Sequence, residues 1–157
     1  MGLLDRFGAG AFRRRSDGTF DVLLSEDERR VIGELTGQLR ELLATDSPAL
    51  ARLFPPPYGD DEERNQGYAA LAGAELFEGR LQRLEAVAEQ LDAATLDEAQ
   101  LSDWMRSIND VRLVLGTLLD IDDDHRPPPA DSDAAAMYAA YEYFGYLLER
   151  IVRALSG

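Results

Sequence analysis

Four long stretches of this chain repeat apolar residues at helical spacing, and proline or charge interrupts the repeat between them. The first stripe is Val31, Ile32, Leu35, Leu39, Leu42 and Leu43. It follows Ser25 and Glu28, a capping-box pair with Glu26 and Asp27 in the first turn. The second is Leu76, Phe77, Leu81, Leu84, Val87, Ala88 and Leu91. It predicts a helix over 74–91, preceded by a shorter helix over 61–71 and a break near Gly73. The third is Leu101, Trp104, Ile108, Val111, Leu115 and Leu119, in a helix predicted over 96–119 with Thr95 and Glu98 as its capping pair. The fourth is Met137, Tyr141, Phe144, Leu148, Ile151, Val152 and Leu155, over 132–155, where Gly145 beside the stripe points to a close helix crossing.

Shorter signals fill the remainder. Asp17-Gly18 is a strong turn pair, and the alternation from Thr19 to Val22 predicts a β-hairpin over 12–24. Such a hairpin is marginal alone and must pack on the helices. Ser47-Pro48 opens a short helix to Phe54, which Pro55-Pro56-Pro57 ends. There is no internal repeat and no long linker. The fold expected is mainly α: one compact helical bundle-like domain over 1–157, with a flexible arm over 1–11, a short N-terminal β-hairpin over 12–24 and a helical body over 25–157.

Composition removes most chemistry. The 157 residues contain no Cys, so disulfides, thiolate metal sites and cysteine nucleophiles are excluded. All 16 basic residues are Arg, which removes Schiff-base and P-loop lysines, and His125 is the one histidine. The loop carrying Asp120, Asp122, Asp123, Asp124 and His125 offers oxygen ligands but lacks the EF-hand order, and reads as a solvated acidic loop. No catalytic residue, cofactor or metal is expected, and the chain reads as non-enzymatic.

Net charge is −14, unevenly placed. Arg6, Arg13, Arg14 and Arg15 against Asp5 make +3 over residues 1–15, which leaves −17 on the remainder. That body repels nucleic acid and anionic lipid and suits basic or apolar protein partners. A protein partner is therefore expected, with no nucleic acid. One helical turn, Leu3, Leu4 and Phe7, is too small for stable membrane insertion, and no apolar run approaches the roughly 20 residues of a span. The first residues show no secretory signal, so the expected location is cytoplasmic.

Several polar residues fall where the stripes should be apolar. Arg80 and Arg112 project onto the apolar faces of their helices, and Glu28 onto the face of Leu35 and Leu39. A cation there needs a carboxylate or carbonyls, because an unpaired buried charge costs several kcal/mol. One reading is a partly buried salt-bridge network. The other is an anion or small-molecule pocket built on Arg80 and Arg112. Asn109 and Asp110 lie in the same dense segment, and Asn109 is an unfavourable mid-helix residue suited to fixing a neighbouring loop. Phe54 and Tyr58 flank the proline run, either as plugs of a structural corner or as part of a polyproline II segment offered to a partner.

Arg52-Leu53-Phe54-Pro55-Pro56-x-Tyr58, the run Ile108-Asn109-Asp110-Val111-Arg112-Leu113-x-Leu115-Gly116-Thr117, and the closing Ile151-Val152-x-x-Leu155 resemble an actinobacterial family of unknown function. The resemblance spans nearly the whole chain, with Pro57 departing from the family's Ala. Its members carry labels of transcriptional regulator or aerial mycelium formation protein, with no catalytic residue attached. Its frequent encoding beside a Clp-protease adaptor implies a link to regulated proteolysis. The function expected is that of an interaction or regulatory, adaptor-like module. Two alternatives remain. One is a DNA-binding regulator reaching phosphates with Arg13-Arg14-Arg15, although no basic recognition helix is present. The other is the Arg80 and Arg112 anion binder.

Overall fold

The computed structural model describes residues 10–45, 47–51, 53, 61–121 and 127–157, without the side chains of 62 and 64–75. In chain order the elements are β1 (Phe12–Arg14), β2 (Phe20–Val22), α1 (Glu26–Leu42), one 3₁₀ turn (Pro48–Leu50), α2 (Glu62–Gln90), β3 (Thr95–Leu96), α3 (Glu98–Leu118) and α4 (Ala134–Ser156). The protein is mainly α, as its periodicity requires, and α3 is the central helix, packed between α2 and α4.

The hairpin forms where Asp17-Gly18 predicts it. Gly18 takes φ +86°, a conformation an L side chain rarely adopts, and Asp17 accepts from the Thr19 amide and hydroxyl. Phe12 pairs with Val22 and Arg14 with Phe20. The hairpin then gains a third strand, in the order β1-β2-β3, with Phe20 opposite Leu96.

That third strand corrects the predicted start of α3. Thr95 and Leu96 are extended because Leu96 is worth more buried beneath the sheet, where it is 1% exposed, than in a first helical turn. The capping box is Asp97 with Gln100 instead: Asp97 accepts from the Gln100 amide at 2.8 Å and Gln100 accepts from the Asp97 amide at 2.8 Å. The Ser25–Glu28 box forms as the sequence predicts.

Three other boundaries differ. No break occurs near Gly73, and α2 runs unbroken over 29 residues. A single interior glycine costs about 1 kcal/mol, and a nucleated helix gains a hydrogen bond for each residue it extends. Of the predicted 48–54 helix, the described residues form the 3₁₀ turn Pro48–Leu50, with Ser47 capping the Ala49 amide; residues 52 and 54 lie outside the described residues. In α4 the buried residues are Tyr143, Phe144, Leu147 and Ile151, whereas Val152 is 45% exposed. The inward face is rotated from the predicted stripe because Tyr143 finds a polar partner inside.

Among the described residues, Trp104, Tyr143, Phe20 and Phe144 are the largest fully buried side chains. Trp104 meets Phe12 edge to face, with ring centroids 6.2 Å apart, which seats the sheet on α3. Its indole N–H donates to Gln90 Oε1 at 2.9 Å, so burying the ring leaves no donor unsatisfied. Among the described residues no helix is long and apolar enough to cross a membrane.

Candidate functional site

Polar side chains gather at both seams of α3. At the α2–α3 seam, Arg80 donates to the Leu53 carbonyl at 2.7 Å, and its Nη1 lies 3.7 Å from Asp110 Oδ2. The first contact is a hydrogen bond; the second is an ion pair beyond hydrogen-bond length. Arg83, one turn along, lies over Gly79 with Nη1 3.5 Å from where a Cβ would stand. Two guanidinium groups therefore bias one buried carboxylate. Burial pushes the Asp110 carboxyl above its ordinary value, and the charges of Arg80 and Arg83 partly offset that rise.

At the α3–α4 seam, the Arg112 guanidinium carbon stands 4.6 Å from the Tyr141 ring centroid, a cation–π contact. Gly145 makes room for it, because a Cβ there would lie 3.2 Å from Arg112 Nε. That nitrogen is buried without a hydrogen-bond partner. The structure thus brings Arg80 to Asp110, and Arg112 to Tyr141 on a different helix. Asn109 is half-buried on α3. Phe54 and Tyr58 lie outside the described residues, as do Asp122, Asp123, Asp124 and His125 of the acidic loop. Among the described residues no group of three or more His, Cys, Asp or Glu is placed to hold a metal ion.

Two anchors escaped the sequence reading. Tyr143 donates to Glu28 Oε2 at 2.7 Å, while Glu28 Oε1 accepts from the Ser25 amide at 3.1 Å. One carboxylate therefore caps α1 and ties it to α4. The signal was present in Glu28, an acid on an apolar stripe; its partner was not marked by any pattern. Burial drives the Tyr143 phenol well above its ordinary value, and the bond to Glu28 adds to the rise. The second anchor is Arg29, which donates to the carbonyls of Leu24, Leu91, Ala93 and Val22 at 2.7–3.2 Å. It fastens the end of α2 to the sheet, and a charged residue on an exposed-looking helix flank gave no warning of it.

The arginines of the first strand, and Arg15 just after it, are also engaged. Arg13 bonds Asp21 at 2.8 Å and Arg15 Nη1 lies 3.4 Å from the same carboxylate. Arg14 donates to the carbonyls of Ala154 and Leu155 at 3.2 and 2.9 Å, capping the negative end of α4.

The chain is 27% identical over 153 residues to the oxidative stress regulator AosR of Mycobacterium tuberculosis and to that of Mycobacterium bovis. Each match covers 85% of this chain and 68% of the relative. No solved structure matches the chain. The model of one family, described as a domain of unknown function, matches residues 9–155. With almost every residue inside that match, the chain belongs to the DUF2017 family.

Proposed function

We propose that this protein is a regulator that acts by binding another protein, without catalysis. The observation that carries the reading is the similarity, over 85% of the chain, to mycobacterial proteins named oxidative stress regulators. The residue chemistry supports it. There is no Cys, no Lys and one His among 157 residues, and the polar contacts described at the two α3 seams are an arginine–carboxylate pair and an arginine–tyrosine stack.

A role in the oxidative response also has a chemical constraint. Oxidant sensors built on thiols need a reactive thiolate, and this chain has none. A thiol-based oxidant signal would therefore reach it through its partner or through its abundance. A cytoplasmic place and a protein partner follow from that reading.

The alternative is direct DNA binding. It is disfavoured because Arg13 and Arg15 face Asp21, Arg14 holds the end of α4, and the rest of the chain is strongly acidic.

Fluorescence anisotropy against duplex DNA at low salt, paired with affinity capture from native cells with and without peroxide, tests the two readings. The proposal expects no saturable DNA binding and a recurrent protein partner. Saturable, salt-sensitive duplex binding with no protein partner would overturn it.

A further inference from the structure

Between α1 and α3 runs an apolar groove of about 210 Å³, walled by Leu35, Leu39, Leu42, Val114, Leu115 and Leu118. Leu118 is 53% exposed, the highest value among the exposed large apolar side chains of the described residues. Leu118 also lines a second hollow of about 390 Å³, bounded by the start of α4 at Ala134 and Met137. An apolar groove of this kind on an acidic surface, with a second hollow beyond Leu118, marks a binding trough more often than isolated exposed leucines do.

Among the described residues, the exposed charges beside it are acidic. Glu34 and Glu41 are exposed on the helical row of α1 next to Leu35 and Leu42, with Gln38 between them. At the other end, Asp120 and Asp133 are exposed in the wall of the second hollow. These acids argue against a second copy of this chain as the occupant, since a two-fold pairing would set rim against rim. Anionic lipid is disfavoured on the same ground.

We infer that this trough is the docking surface for an amphipathic helix of a protein partner, with an apolar face that enters the groove and basic residues that meet Glu34, Glu41, Asp120 and Asp133. Walls formed by two roughly side-by-side helices suit a third helix, whose i, i+3, i+4 and i+7 side chains would follow Leu35, Leu39 and Leu42 along one wall. The acids on the rim would steer the encounter and set orientation, and the apolar floor would hold the complex. The inference rests on the regulatory reading for the protein nature of the occupant.

The test uses the purified full chain and a labelled model peptide of about five helical turns. The peptide carries Leu on one face and Lys on the other, with a Glu-for-Lys counterpart as comparison. The wild type is expected to bind the Lys peptide at least about tenfold more tightly than the Glu peptide at about 0.15 M salt. Leu118→Asp should lose at least about tenfold in affinity with an unchanged melting temperature, whereas Leu23→Asp, at an exposed leucine elsewhere, should not. Absent Lys-peptide binding, equal binding of both peptides, or equal effects of the two variants would overturn the inference. So would wild-type self-association in the ultracentrifuge that Leu118→Asp abolishes, which would make a second copy the occupant. Because the peptide is synthetic, its failure removes the trough and leaves capture from native cells to judge the regulatory reading.

Discussion

The Tyr143 hydroxyl donates a 2.7 Å hydrogen bond to Glu28 Oε2 in the interior, joining the last helix to the capping residue of the first. A carboxylate so buried needs each of its contacts, because removing one partner leaves a desolvated acceptor. Tyr143→Phe is expected to lower unfolding free energy by about 1.5–3 kcal/mol in urea titrations. Glu28→Gln keeps some capping and should couple to it: the double variant should cost less than the sum of the singles. Strict additivity would show that the bond is not energetically real.

The same pair sets behaviour at high pH. The Tyr143 phenol is raised above its ordinary value of 10.0, so its contribution is fully present below that pH and is lost as pH rises toward the folded value. Absorbance titration near 295 nm should therefore show one of the six tyrosines silent until the protein unfolds. Tyr143→Phe should remove that silent step. A wild type whose six tyrosines all ionise before unfolding would contradict the geometry.

Arg29 holds four backbone carbonyls from two segments, 22–24 and 91–93. Arg29→Met should cost about 3 kcal/mol or more, since buried carbonyls lose a charged donor. Arg29→Lys should rescue little, because one ammonium cannot span the fork that a guanidinium presents. Amide exchange should rise first around Val22, Ala93 and Ala94, where the sheet meets the end of α2.

Asp110 has the opposite pH dependence from a typical paired carboxylate. Burial raises it above 3.8 despite Arg80 and Arg83, so its favourable contribution is present below the unfolded value and falls as pH rises through the folded one. The stability advantage of the wild type over Asp110→Asn should therefore be larger at about pH 3.5 than at about pH 7. Chemical denaturation of both proteins at the two pH values checks the sign.

Arg112→Met removes a cation from the Tyr141 face and keeps the stem packed over Gly145. Loss of the cation–π contact should cost about 0.5–2 kcal/mol, with the fold retained. A thermal-shift screen against phosphates and carboxylates should leave wild type and variant alike. A ligand that stabilises only the wild type would instead make Arg112 a binding residue.

Much of this architecture was legible because helices announce themselves through period and caps. Ser25 with Glu28 fixed one helix start, and Asp17-Gly18 fixed one turn. What failed was competition between equally good local signals. Thr95–Glu98 and Asp97–Gln100 both fit a capping box, and the choice was made by Leu96, whose burial against Phe20 is a contact across 76 residues. Gly73 read as a break because local cost is visible in sequence and tertiary support is not. At the site, Arg80 on α2 and Arg112 on α3 stood out as charges on apolar stripes, and Asp110 only as part of a dense polar segment. Their partners, Leu53 and Tyr141, could not be read, since a backbone carbonyl and a ring face leave no mark on periodicity.

The central claim is that the chain regulates by protein contact and not through DNA. The most direct measurement is quantitative affinity purification of the tagged chain from native cells, with each extract split into nuclease-treated and untreated halves. The account predicts a protein partner recovered in near-stoichiometric amount from both halves. Recovery that depends on intact nucleic acid, with DNA fragments in the eluate, would contradict it.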